Sequence, residues 1–138
     1  MRKLSAVAVV GLFATVAFAG KPERDKANEL KTAVAAAEAQ IKASCGCASK
    51  INVKWESYTK ANDMRRIPNT LDDITTATKA QCQSPEDKKA YCGNVTGYEI
   101  SYKLDGGTAS LNGKTIVLTT SDAAYPGNAQ ITAIISKF

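Results

Sequence analysis

Hydrophobic and polar positions alternate with two different periods along this chain. From Lys21 to Ser44 the apolar residues Leu30, Val34, Ala37 and Ile41, continued by Ala43 to Cys45, recur at steps of three and four, which is the spacing of one helix face. Pro22 with Glu23 and Asp25 behind it marks the start, because proline has no amide proton to lose there and carboxylates favour the positive end of the helix dipole. Alanine, the best helix former, dominates the middle, and Gly46 is placed to end the helix in a left-handed cap. The stripe is narrow and built from small side chains. We read it as docking on a sheet; pairing with a second copy is the alternative.

The period then switches. In INVKWESY, residues 51 to 58, Ile51, Val53 and Trp55 alternate with Asn52, Lys54 and Glu56, which predicts a half-buried strand with Trp55 in the core. Met64, Ile67, Leu71, Ile74, Thr78 and Cys82 return to helical spacing. Pro68 sits inside that pattern, where it either kinks the helix or marks its true first turn, and Thr70 followed by Asp73 resembles a capped start, so the reading is a short turn near Met64 and a main helix from about Thr70. Ser84 and Pro85 open a single further turn. Tyr98, Ile100, Tyr102 and Leu104 then alternate as a strand, Asp105-Gly106-Gly107 turns the chain, and Asn112-Gly113 signals a two-residue hairpin leading into a strand over 114–120. Ile131, Ile134 and Ile135 in AQITAIISKF suggest a last, largely buried strand, with Phe138 at the core edge.

These elements predict a two-layer α+β domain, with two main helices on one face of a largely antiparallel sheet of about four strands in the order α-β-α-β-β-β, stapled by disulfides.

Composition adds the compartment. Arg2 and Lys3, an apolar run to about Phe18 and the small-x-small triplet Ala17-Phe18-Ala19 form a secretory signal peptide, so residues 1–19 are expected to be removed and 20–138 to form one domain. The apolar run is shorter than the ~20 residues a bilayer span needs. Without Arg2 and Lys3 there are 16 basic and 13 acidic side chains, a mild net charge of +3 with no block of like charge, so the footprint of a nucleic-acid binder is missing. The expected location is the periplasm or the outside of the cell.

Candidate chemistry is sparse. The chain has no histidine, which removes the commonest general base and zinc ligand and with them Ser-His-Asp and Cys-His machinery. No cofactor or metal is expected, and the chain reads as a non-enzyme. Of its four cysteines, Cys45 and Cys47 flank a single glycine. If the strand at 51 returns along the first helix and the second helix returns along that strand, the two helices run the same way. Cys45 and Cys82, which end the helices, then lie at one pole with Cys47 and Cys92, which precede strands. Bridges Cys45–Cys82 and Cys47–Cys92 are the preferred pairing, and the swapped pair is the runner-up. A Cys45–Cys47 bridge closes a very small, strained ring. A redox Cys-Gly-Cys is the alternative reading, and it is disfavoured because a helix C-terminus opposes a thiolate.

Arg65 and Arg66 beside Lys60 suit an anionic or acidic partner, although a solvated helix face accounts for them equally well. Tyr125 sits on the turn Tyr125-Pro126-Gly127, a position that suits recognition, with folding back onto the sheet edge as its structural reading. The sequence thus points to an exported, disulfide-stabilised binding or accessory module, such as an inhibitor or a subunit for a protein or other macromolecular partner, monomeric or dimeric. Its alternatives are a thiol-disulfide protein and a structural envelope protein that assembles through the N-terminal helix.

Overall fold

A computed structural model describes residues 20–138; the signal-peptide reading of residues 1–19 lies outside the described residues. Helix α1 spans Lys21–Cys45 and buries Ala27, Leu30, Val34, Ala37, Ile41 and Cys45, so the three-and-four stripe faces the core along nearly its whole length. Pro22 lies in its first turn, and Gly46, at φ 81°, caps its end by donating its amide to the Lys42 carbonyl at 2.8 Å. Strand β1 follows at Lys50–Val53, then two 3-10 turns at Trp55–Ser57 and Ala61–Arg66, helix α2 at Ile67–Gln81 and helix α3 at Pro85–Asn94. Strands β2 (Gly97–Tyr102), β3 (Ala109–Asn112) and β4 (Thr115–Thr120) lead into helix α4 at Asn128–Ile135.

The fold is α+β, with four strands in the order β1-β2-β4-β3. The sheet is mixed rather than largely antiparallel. β1 pairs with β2 in parallel, as a helical crossover between them requires, and β4 also runs parallel to β2; only β3 and β4 are antiparallel. The reason lies in Asp105-Gly106-Gly107, which does not form a tight hairpin. The segment after β2 crosses over the end of β4, with the Lys103 amide on the Thr120 carbonyl at 2.9 Å and the Gly107 amide on the Thr119 carbonyl at 2.8 Å. A Cβ at Gly106 would sit 2.4 Å from the Thr120 carbonyl oxygen, so only glycine lets the chain pass this close. β3 is thereby carried to the outer edge and β4 returns between β2 and β3. Their hairpin is centred on Gly113-Lys114, one residue later than Asn112-Gly113, with Gly113 at φ 62° in the first central position.

Four further expectations change. The strand at 51 stops at Val53 and Trp55 enters a 3-10 turn, where it is half-buried against the core edge with the Lys31 ammonium 5.9 Å from its ring. α2 begins at Ile67 with Pro68 in its first turn, so the proline starts the helix instead of kinking it, and Thr70 donates its hydroxyl back to the Arg66 carbonyl from inside the helix. The turn after Ser84 runs on to Asn94: Ser84 caps it as expected, and buried Tyr91 anchors it. The last segment is helix, because Ile131 and Ile135 lie on one helical face and both are fully buried. Their β-branched side chains favour a strand locally, and burial against the core overrides that preference.

The core lies between the helices and one sheet face, where Ile51, Val53, Tyr98, Ile100, Ile116 and Leu118 meet Leu30, Ile41, Met64, Ile67, Ile74, Ile131 and Ile135. Cys45–Cys82 and Cys47–Cys92 are bridged, the preferred of the two pairings that the sequence left open. They fix the ends of α1, α2 and α3 at the pole where β1 and β2 begin. No described helix is long and apolar enough to cross a membrane.

Candidate functional site

The two poles of the sheet differ in chemistry. At the pole where β1 and β2 start, Cys45 and Cys47 belong to separate bridges, no cysteine is free among the described residues, and no Cys45–Cys47 bond exists. A chain of buried hydroxyls lies beside these bridges. Ser49 is 3.1 Å from Tyr91, Tyr91 is 2.8 Å from Tyr98, and Tyr98 is 3.2 Å from Thr78, whose own hydroxyl lies 2.6 Å from the Ile74 carbonyl. Each hydroxyl has one proton. Thr78 gives its proton to Ile74, so Tyr98 donates to Thr78, Tyr91 to Tyr98 and Ser49 to Tyr91, all in one direction. Burial pushes the Tyr91 and Tyr98 hydroxyls up from their usual range, which keeps the chain protonated. This network ties α2, α3, β2 and the α1–β1 connection together. Sequence reasoning missed it because tyrosine and threonine at apolar-periodic positions read as ordinary core.

The opposite pole, at the carboxyl ends of the three parallel strands, carries the polar and exposed groups. Arg65 and Arg66 end the second 3-10 turn, which brings them beneath the loop that follows β4. Both guanidiniums donate to the carbonyl oxygen of Asp122, that of Arg66 at 3.2 Å. Arg66 also lies 5.5 Å from the centre of the Tyr125 ring, within cation-π range. The loop itself is held by Ser121, whose hydroxyl oxygen accepts the Ala124 amide at 3.1 Å. The three residues singled out in the sequence as binding candidates, Arg65, Arg66 and Tyr125, are thus brought together. Each has a structural role as well, since they lock the loop to the turn.

Around them, Tyr102 ends β2 with its ring 5.8 Å from that of buried Tyr58, and the Tyr58 hydroxyl lies 2.8 Å from Thr120. Burial raises the Tyr58 hydroxyl to about 12. Partial burial and the nearby Asp122 and Asp63 carboxylates push the Tyr102 hydroxyl up, while Arg65 pulls it down. Asp63 is only 6% exposed and accepts a 3.4 Å hydrogen bond from the Thr59 hydroxyl. Among the described residues neither arginine has a carboxylate within ion-pair distance. Leu104, in the turn closed by the Gly106 amide on the Lys103 carbonyl, is 90% exposed, the most exposed large apolar side chain of the described residues. In the sequence, Leu104 reads as the inward end of a strand; the crossing over β4 turns it out to solvent.

This pole combines cations, aromatic faces and one fully exposed leucine on loops over a rigid sheet, an inventory suited to recognition. No group of three or more His, Cys, Asp or Glu able to hold a metal ion occurs among the described residues. No protein-family model, no curated protein and no solved structure matches this chain.

Proposed function

We propose that the mature chain is a small exported binding module without catalytic activity, which engages a protein or other macromolecule of the periplasm or extracellular space through the pole opposite its disulfides. The observation that carries this reading is the convergence of Arg65, Arg66 and Tyr125 on the Asp122 loop, at the same pole as exposed Leu104. Residues more than fifty positions apart meet on one loop platform, while the staples keep the far pole rigid. The two intramolecular disulfides accord with an oxidising compartment. An exposed leucine at the same pole as two guanidiniums favours a partner surface that offers an apolar pocket and carboxylates.

The test is quantitative capture of envelope and extracellular fractions on the immobilised mature chain, compared with Leu104→Ser and Arg65→Ala. Both side chains are exposed, so their replacement leaves the core intact. The reading predicts that a saturable partner bound by the parent is lost by at least about tenfold in each variant. A partner retained equally by both variants places recognition elsewhere and refutes this assignment.

A further inference from the structure

The sheet face turned away from the helices carries a second, chemically different surface. Registers place Lys50, Gly97 and Thr115 in one row across β1, β2 and β4, and Asn52, Glu99 and Val117 in the next. Gly97 has no alternative, because a Cβ there would lie 2.7 Å from the Lys50 carbonyl oxygen. An open depression of about 260 Å³ lies over Gly97 at the end of this face where the three strands begin, walled by Lys50, Asn52, Glu99 and Thr115. Strand spacing gives these two rows a footprint of roughly 10 Å by 7 Å.

Parallel strands are usually covered on both faces. Here the second face is built to stay hydrated. Val117 is its single large apolar residue across these rows, and aromatic anchors are absent from them, which argues against an obligate protein layer. One lysine faced by one glutamate supplies no positive field, which argues against nucleic acid. What remains is a flat set of a carboxylate, an amide, an ammonium and a hydroxyl around an open floor, with Asn52 and Glu99 directly opposite in the register. A carboxylate next to an amide accepts from, and donates to, neighbouring hydroxyls, the arrangement that a sugar ring presents.

We infer that this depression is a carbohydrate-binding site, in which Glu99 and Asn52 hold adjacent ring hydroxyls, Lys50 and Thr115 contact outer oxygens, and Val117 faces ring C–H groups. The site is independent of the arginine pole. With few desolvated groups, affinity should be on the order of 1 mM.

The experiment is an amide NMR titration of the mature chain with maltotriose and, separately, with chitotriose, each to about 10 mM. The expected result is saturable shifts confined to residues 50–52, 97–99 and 115–117 with at least one of the two. Maltotriose alone identifies a neutral glycan and chitotriose alone an N-acetylated one. Asn52→Ala and Glu99→Gln, both at solvent-facing positions, should weaken binding about tenfold with unchanged thermal melting, and Arg65→Ala should leave it unaltered. Absence of saturable shifts with both sugars, shifts scattered over the surface, or binding by Asn52→Ala and Glu99→Gln as tight as that of the parent overturns the inference.

Discussion

Replacing Tyr98 by phenylalanine tests the direction of the buried hydroxyl chain. Tyr98 is 1% exposed and stands between Tyr91 at 2.8 Å and Thr78 at 3.2 Å. Because the protons run from Ser49 toward the Ile74 carbonyl, its loss removes the acceptor of the Tyr91 proton and the donor to Thr78. The ring stays in place, so no cavity term enters, and the cost is that of one orphaned donor and one under-used acceptor. A buried unsatisfied group costs about 1–3 kcal/mol, which puts Tyr98→Phe at about 2–3 kcal/mol. Ser49→Ala, at the donor end of the chain, removes one proton from the Tyr91 oxygen and orphans no donor, so it should cost about 1 kcal/mol. In the double variant Tyr91→Phe with Tyr98→Phe the orphaned Tyr91 proton is gone, and the pair should cost less than the sum of the two single changes. Urea unfolding of the oxidised mature chain, with the slope held constant, supplies all four values. If Ser49→Ala costs as much as Tyr98→Phe, or if the double variant is additive, the hydroxyls do not form a directed chain and the argument fails.

Opening either disulfide should be costly. The bridged residues are 37 and 45 positions apart, and loop-closure entropy gives each bridge about 4 kcal/mol. That figure holds for a bridge formed alone; because the two loops overlap, either bridge shortens the loop the other closes to about a dozen residues, so each single removal should cost only about 3 kcal/mol and removal of both by paired Cys→Ser changes more than the sum of the two, which calorimetric melting of the single and double pairs would show. Raising the pH should destabilise the chain: Tyr58, Tyr91 and Tyr98 all have raised folded-state values, so their contribution is complete below the ordinary tyrosine value near 10 and is lost as pH rises toward their folded values. The shift of Tyr58 alone, from 10.0 to about 12 in a buried ring, is worth up to about 3 kcal/mol. Short-exposure urea midpoints at pH 8 and pH 11 should fall accordingly, less so in Tyr58→Phe; equal midpoints at the two pH values would contradict the burial of these hydroxyls.

Much of the local structure is legible in the residue pattern, and particular failures show where legibility stops. The stripe from Leu30 to Cys45 and the caps at Gly46 and Ser84 depend on neighbours within a few residues, and they appear where the pattern puts them. Ile131 to Ile135 fail the same test, because a short run of isoleucines satisfies strand propensity and helical spacing alike, and contact with α2 and the core decides between them. Asp105-Gly106-Gly107 fails for a different reason. Glycines permit a tight turn and a close crossing equally, and only the position of Thr120 selects the crossing. Arg65, Arg66 and Tyr125 were visible singly, but their convergence was not, and the exposed Leu104 looked like core.

The sequence by itself determined the period of nearly every element, the α+β class and, through the ends of two co-directional helices, that the four cysteines gather at one pole. These follow from backbone sterics and side-chain spacing, which act over short stretches of chain. The tertiary structure alone decided that β4 lies between β2 and β3, that four hydroxyls line up beside the staples, and that Arg65 and Arg66 share the carbonyl of Asp122, 57 and 56 residues away. Those outcomes depend on which surfaces bury best against one another, and that is a property of the assembled layers, absent from any single segment.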